Sequence, residues 1–161
     1  MSKIKELLKD KNSVLVFDID GVLAILEFGE YNHYYASDAD WDDFVNGDNN
    51  LYTEDKVSKK MQEFLNTLDK SRVYVITAIG VNKEGEYKKD FVNKYYGISK
   101  DNVYFVDRSN NKMDALNEIR KKHPEIEDYQ LIMIDDTPDV LTDVQLKSKY
   151  STAHVSSFLD I

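Results

Sequence analysis

Residues 14–21 read Val-Leu-Val-Phe-Asp-Ile-Asp-Gly. Val14–Phe17 is an unbroken apolar run of strand length, and it stops at two carboxylates, Asp18 and Asp20. A continuous apolar run suits a strand covered on both faces, as in a parallel sheet flanked by helices. Three further runs have the same character: Arg72–Ile76 (RVYVI), Val103–Val106 (VYFV) and Leu131–Ile134 (LIMI), with a weaker fifth near Ala153–Val155. Between them lie segments of helical spacing. Val57, Met61, Phe64, Leu65 and Leu68 mark Lys56–Leu68. Tyr87, Phe91, Val92 and Tyr95 mark Glu84–Tyr96, with Gly97 as a stop, and Leu116 and Ile119 mark Met113–Lys122, closed by Pro124. Strands that alternate with helices predict right-handed crossovers and a three-layer, Rossmann-like α/β fold around a mostly parallel central sheet.

The chain of 161 residues suits one domain spanning 1–161, and no linker divides it. The first strand is followed by a segment that breaks the rhythm. Residues 27–53 are aromatic, acidic and Asn-rich, and a short cap-like insert is expected over 24–54. Tyr31, His33, Tyr34, Tyr35, Trp41 and Phe44 there suit packing onto the domain better than stacking on a base. Lys88, Lys89, Lys94 and the run 120–123 (RKKH) fall at surface spacing and read as solvated faces. His33 and His154 have no visible partner.

Lys and Arg total 21 against 30 Asp and Glu, a formal charge of −9, so nonspecific attraction to polyanions is weak. Cysteine is absent, which excludes disulfides and thiolate chemistry. The charged N-terminus is unlike a signal peptide, and no stretch approaches the roughly 20 apolar residues of a membrane span. A cytoplasmic protein is the expectation.

Ligands of doubly wound sheets bind at the carboxyl ends of the strands. Asp18 and Asp20 end the first strand, Thr77 the second, and Asp135 and Asp136 the fourth, with Asp139 nearby. Lys112 precedes a helix after the third. Such a group of carboxylates calls for a hard divalent cation, and magnesium prefers oxygen ligands. It also suits phosphoryl chemistry: a carboxylate nucleophile, a second carboxylate as acid and base, and a hydroxyl, an amide and an ammonium on the phosphoryl oxygens. Asp139 reads as a first-turn helix acid rather than a ligand.

Four segments, in order, resemble the motifs of the haloacid dehalogenase (HAD) superfamily. FDIDGVLA at 17–24 looks like motif I, VITA at 75–78 like motif II, Lys112 in NNKMDAL like the motif III lysine, and LIMIDDTPDVL at 131–141 like motif IV. The resemblance runs from Val14 to about Val144. It implies the HAD fold, a small or absent cap, and a magnesium-dependent phosphomonoester hydrolase. Asp18 would be the nucleophile that forms an aspartyl-phosphate, and Asp20 the acid/base. Thr77, Ala78 and Lys112 would hold the phosphoryl group. The metal ligands implied are the Asp18 carboxylate, the Asp20 carbonyl and Asp136, with Asp135 the alternative. The substrate would be a phosphorylated small molecule or a nucleic-acid end, with no membrane involved. The sequence departs from the pattern in reading TAIG at 77–80, without the basic residue common after motif II. The insert with DWDDF is also similar to the polynucleotide 3′-phosphatase domain of bacteriophage-type kinases and to 5′(3′)-nucleotidases. Two readings of another class remain, a receiver-like domain and a catalytically silent HAD-fold binding module. Asp107 at the end of the third strand would be the receiver's acceptor, but the second acidic pair at 135–136 argues against it.

Overall fold

The computed structural model describes residues 3–26 and 36–159. Its centre is β1 (Val14–Phe17), flanked by β2 (Val73–Ala78) and β4 (Leu131–Asp135). The outer strands are β3 (Val103–Val106) and β5 (Ser151–His154). All pairings are parallel, and the order is β3-β2-β1-β4-β5. The four residues of β1 are all buried. Their side chains alternate between faces. Leu15 and Phe17 join Val73, Val75, Ile132 and Ile134 on one side. Val14 and Val16 join Tyr74, Ile76, Leu131 and Met133 on the other. Two apolar layers therefore meet at one strand, which is why its sequence shows no polar alternation.

The first layer is closed by α1 (Lys3–Lys9), α3 (Lys59–Leu65) and α4 (Asn82–Tyr96), through Leu8, Met61, Leu65, Phe91 and Val92. The second is closed by α5 (Met113–Lys122) and α6 (Pro138–Lys147), through Leu116, Ile119, Leu141 and Val144. Local chemistry sets the helix ends. Ser58 caps α3 by accepting from Met61 N at 3.4 Å, Gly97 ends α4, and Pro138 opens α6. Tyr96 is buried, and its hydroxyl donates to Leu23 O at 2.5 Å and accepts from Ser58 N at 2.9 Å, which pins the chain after β1 to α4.

The structure adjusts several expected boundaries. β2 runs to Ala78 because Thr77 and Ala78 still pair with Phe105 and Val106. Two helices were not foreseen. Helix α1 packs Ile4, Leu7 and Leu8 on the core despite its many charges. In the insert, α2 (Asp38–Asn46) buries Trp41 and Val45 one turn apart, and Ser37 caps it by accepting from Asp40 N at 3.2 Å. Trp41 stacks on Phe44 with ring centroids 5.8 Å apart, in keeping with a packing role. Tyr31, His33, Tyr34 and Tyr35 lie outside the described residues. Among the described residues, no helix is long and apolar enough to cross a membrane.

Lys88 does not sit on a solvated face. It occupies the inner side of α4 and is 1% exposed, because anionic side chains meet it there. Lys94 is exposed, as are Lys121 and Lys122 of the basic run.

Candidate functional site

The loop after β1 is built to turn sharply while keeping Asp18 in line with the strand. Asp18 N donates to Ile134 O at 2.9 Å, extending the ladder one residue beyond β1. The chain then folds back, and Ile19 O accepts from the amides of Val22, Leu23 and Ala24 at 3.1, 2.9 and 2.8 Å. Gly21 has φ of +75°, and a Cβ added to it would overlap the Asp136 carboxylate. Glycine is therefore required twice, for the left-handed backbone and for the close approach of the β4 loop.

Asp18, Asp135 and Asp136 each offer a carboxylate oxygen, and these lie within 4.8 Å of one another. Lys112, at the N-terminal boundary of α5, reaches into this group. Its Nζ is 2.7 Å from Asp135 Oδ2 and 3.0 Å from Asp18 Oδ1. The other Asp135 oxygen accepts from Thr137 N at 2.9 Å, so this fully buried carboxylate is held on both sides by protein. Asp136 is half-buried, accepts from Thr137 Oγ1 at 3.2 Å, and borders an open cleft of about 260 Å³ together with Asp18 and Asp20.

Burial pushes the Asp18 carboxyl up to about 6; Lys112 pulls against it, while the charges of Asp135 and Asp20 add to it. Asp136 is raised by burial and then by Asp135. For Lys112, burial disfavours the ammonium, but Asp18 and Asp135 outweigh it and its pKa rises.

Asp20 faces the opposite side, toward α4. Its Oδ1 accepts from the Tyr52 hydroxyl at 2.9 Å, and its Oδ2 lies 2.7 Å from Lys88 Nζ. Lys88 also meets Glu84 Oε1 at 2.9 Å, Ala78 O at 2.7 Å and Thr77 Oγ1 at 3.3 Å. The second Glu84 oxygen accepts from Gly80 N at 3.0 Å. Because β2 continues to Ala78, the chain enters the cleft at Ala78–Gly80, and the Thr77 hydroxyl sits one step behind, 1% exposed.

Asp18, Asp20, Asp135, Asp136 and Lys112 thus meet at one edge of the sheet, with Ala78 on the cleft wall. Asp139 lies in the first turn of α6 and is exposed. His154 stands on β5 outside the cleft, where its Nε2 donates to Asp136 O at 3.1 Å and its Nδ1 accepts from Ser156. Lys83 and Lys100 pair with Asp48 and Asp90 elsewhere on the surface.

Sequence reasoning missed Tyr52, Glu84, Lys88 and Arg108. Glu84 and Lys88 carried one usable signal, a Glu–Lys pair at i,i+4 on a helix that follows the second strand. Tyr52 carried none. Arg108, from the loop after β3, lies across Gly80 so closely that a Cβ there would overlap its guanidinium. It pairs with Asp42 and, at 3.4 Å, with Asp38 of α2. A cation therefore borders the cleft beside the 77–80 loop, although that loop carries no basic residue of its own.

No protein-family model matches the chain, and no curated protein matches it. Among solved structures, "Structure of DsGPDH of Dunaliella salina" aligns with 94% of this chain at a TM-score of 0.58 and 16% identity. The chain spans 25% of that protein's length. At this identity the likeness concerns the fold alone, and it agrees with the Rossmann-like architecture.

Proposed function

We propose that the protein is a magnesium-dependent phosphomonoester hydrolase of the HAD type that works through an aspartyl-phosphate on Asp18. The observation that carries this reading is the cluster itself. Three carboxylates from two neighbouring strand ends lie within 4.8 Å, a buried lysine bridges two of them, and one face opens on a cleft. The donor set fits a hard cation. All donors are oxygens, and burial leaves both Asp18 and Asp136 less acidic than ordinary carboxyls, a cost that a cation offsets. The Asp18 and Asp136 carboxylates and the Asp20 carbonyl would hold it. Bound there, magnesium supplies charge neutralisation and recruits a phosphate oxygen.

Asp18 then attacks phosphorus. A P–O bond forms to its carboxylate as the bond to the leaving oxygen breaks, and the Asp20 carboxyl gives its proton to that oxygen. In the second half, the Asp20 carboxylate takes a proton from water while the water oxygen attacks phosphorus. The bond to Asp18 breaks, inorganic phosphate leaves, and both aspartates return to their starting forms. Lys112 orients Asp18 and offsets charge on the transferring group. Asp135 holds Lys112. The Ala78 amide, which follows Thr77 on the cleft wall, would bind a phosphoryl oxygen, since the next two amides already donate to Val106 O and Glu84. Asp107, the acceptor in a receiver-like reading, is exposed, accepts from Ser109 and stands outside the cluster.

The test is phosphate release over nucleotides, sugar phosphates, nucleic-acid 3′- and 5′-phosphate ends and phosphopeptides, with magnesium and with EDTA. Release that requires the metal and vanishes in Asp18→Asn is expected. An Asp18→Asn protein as fast as wild type overturns the assignment.

A further inference from the structure

Lys88 is a buried charge that the mechanism above leaves unused. Its side chain is 1% exposed, and its ammonium has four acceptors: Asp20 Oδ2, Glu84 Oε1, Ala78 O and Thr77 Oγ1, at 2.7, 2.9, 2.7 and 3.3 Å. An ammonium has three protons, so these protein acceptors saturate it and none remains for a phosphate. Lys88 borders the cleft, yet substrate binding is not what this geometry serves.

The stability of the fold does not explain it either. Burying a charged pair costs about as much as the pairing returns, and apolar side chains of similar volume in place of both partners often serve stability as well or better. What the lysine provides is orientation. With Tyr52 on Oδ1 and Lys88 on Oδ2, both oxygens of Asp20 are fixed by buried partners. The same ammonium holds the Ala78 carbonyl, and Glu84 extends the connection to the amide of Gly80. The carboxyl at the end of β1 and the loop at the end of β2 are thereby joined through one atom.

We propose that Lys88 is a positioning residue of the reaction: it sets the carboxyl of Asp20 against the 78–80 loop so that the proton reaches the leaving oxygen. This rests on the phosphatase reading of Asp18 and Asp20. A carboxyl displaced by a fraction of an ångström loses much of a general acid's contribution, which is about 10²–10⁴-fold. A leaving group that departs without help feels this less than one that needs the proton.

The experiment compares wild type, Asp18→Asn, Lys88→Met, Asp20→Asn and the Lys88→Met/Asp20→Asn double variant. It follows kcat/KM on an alkyl phosphate (β-glycerol phosphate) and an aryl phosphate (p-nitrophenyl phosphate). This ratio reports the steps up to departure of the leaving group, where the proton is given. Lys88→Met is expected to lose about tenfold or more on the alkyl ester and clearly less on the aryl ester. In the Asp20→Asn background it is expected to cost less than about twofold more, because the group it positions is gone. Equal losses on both esters that multiply in the double variant mean a merely structural lysine, and they overturn the proposal. Tyr52→Phe releases the other Asp20 oxygen without leaving a lone buried charge, and it should show the same alkyl bias at smaller size. If Lys88→Met does not fold, absence of that bias in Tyr52→Phe overturns the proposal. Asp18→Asn separates the two failures: if it retains activity, the phosphatase reading falls and the role of Lys88 with it.

Discussion

Replacing Asp18 by Asn should make the metal-free protein more stable at neutral pH while removing its activity. The Asp18 carboxyl is buried beside Asp135 and Asp20, and its pKa stands at about 6 against the ordinary 3.8, despite the nearby Lys112. A carboxyl whose pKa rises on folding binds its proton more tightly in the folded chain. Below about pH 4 it is protonated in both states and costs nothing. Above about pH 6 it is ionised in both, and the folded state carries the full penalty, so stability falls as pH rises through that window. At about 1.4 kcal/mol per pH unit, the interval from 3.8 to about 6 amounts to about 3 kcal/mol. For a chain of this size that corresponds to roughly 6–12 °C in Tm. Asparagine keeps the shape and cannot ionise. Urea unfolding in EDTA at pH 7.5 should therefore show Asp18→Asn ahead of wild type by up to about 3 kcal/mol, with the gap closing toward pH 4. Magnesium should raise the wild-type midpoint more than the variant's. An Asp18→Asn protein that is less stable than wild type in EDTA at pH 7.5 would refute the reasoning.

Lys112→Met should act in the opposite direction. It leaves the buried Asp18 and Asp135 carboxylates without their shared ammonium, at a cost of about 3–5 kcal/mol at neutral pH that shrinks on acidification, measurable by the same unfolding series. Gly21→Ala should cost about 1–2 kcal/mol for a left-handed non-glycine residue. Its Cβ also displaces the Asp136 carboxylate, so calorimetric titration should show weakened magnesium binding while Lys112→Met retains the Asp136 ligand.

The five-stranded parallel architecture was legible because β1, β2 and β4 are buried on both faces, and such strands leave continuous apolar runs that need no tertiary knowledge to read. The helices α4 and α5 were legible for a related reason, since each buries a single stripe. Helix α1 was hidden by its charges, for only Ile4, Leu7 and Leu8 meet the core. The insert's α2 was hidden because two buried residues, Trp41 and Val45, are too few to declare a period.

The sequence by itself determined which oxygens and which ammonium collect at the strand ends. Residues at the ends of buried strands have no freedom to go elsewhere, so Asp18, Asp20, Asp135 and Asp136 were placed by topology alone, whereas Lys112 was marked by its place just before α5. Only the tertiary structure decided the surroundings that set their chemistry. Lys88, Tyr52 and Arg108 lie 68, 32 and 90 positions from Asp20 or Asp18 along the chain; packing between elements brings Lys88 and Arg108 to the cleft and Tyr52 to Asp20. Lys88 shows the physical reason most plainly. On a helix, charged residues at surface spacing look solvated until the sheet edge brings a carboxylate against one of them, and the burial of that one ammonium is a property of the pair, not of either residue.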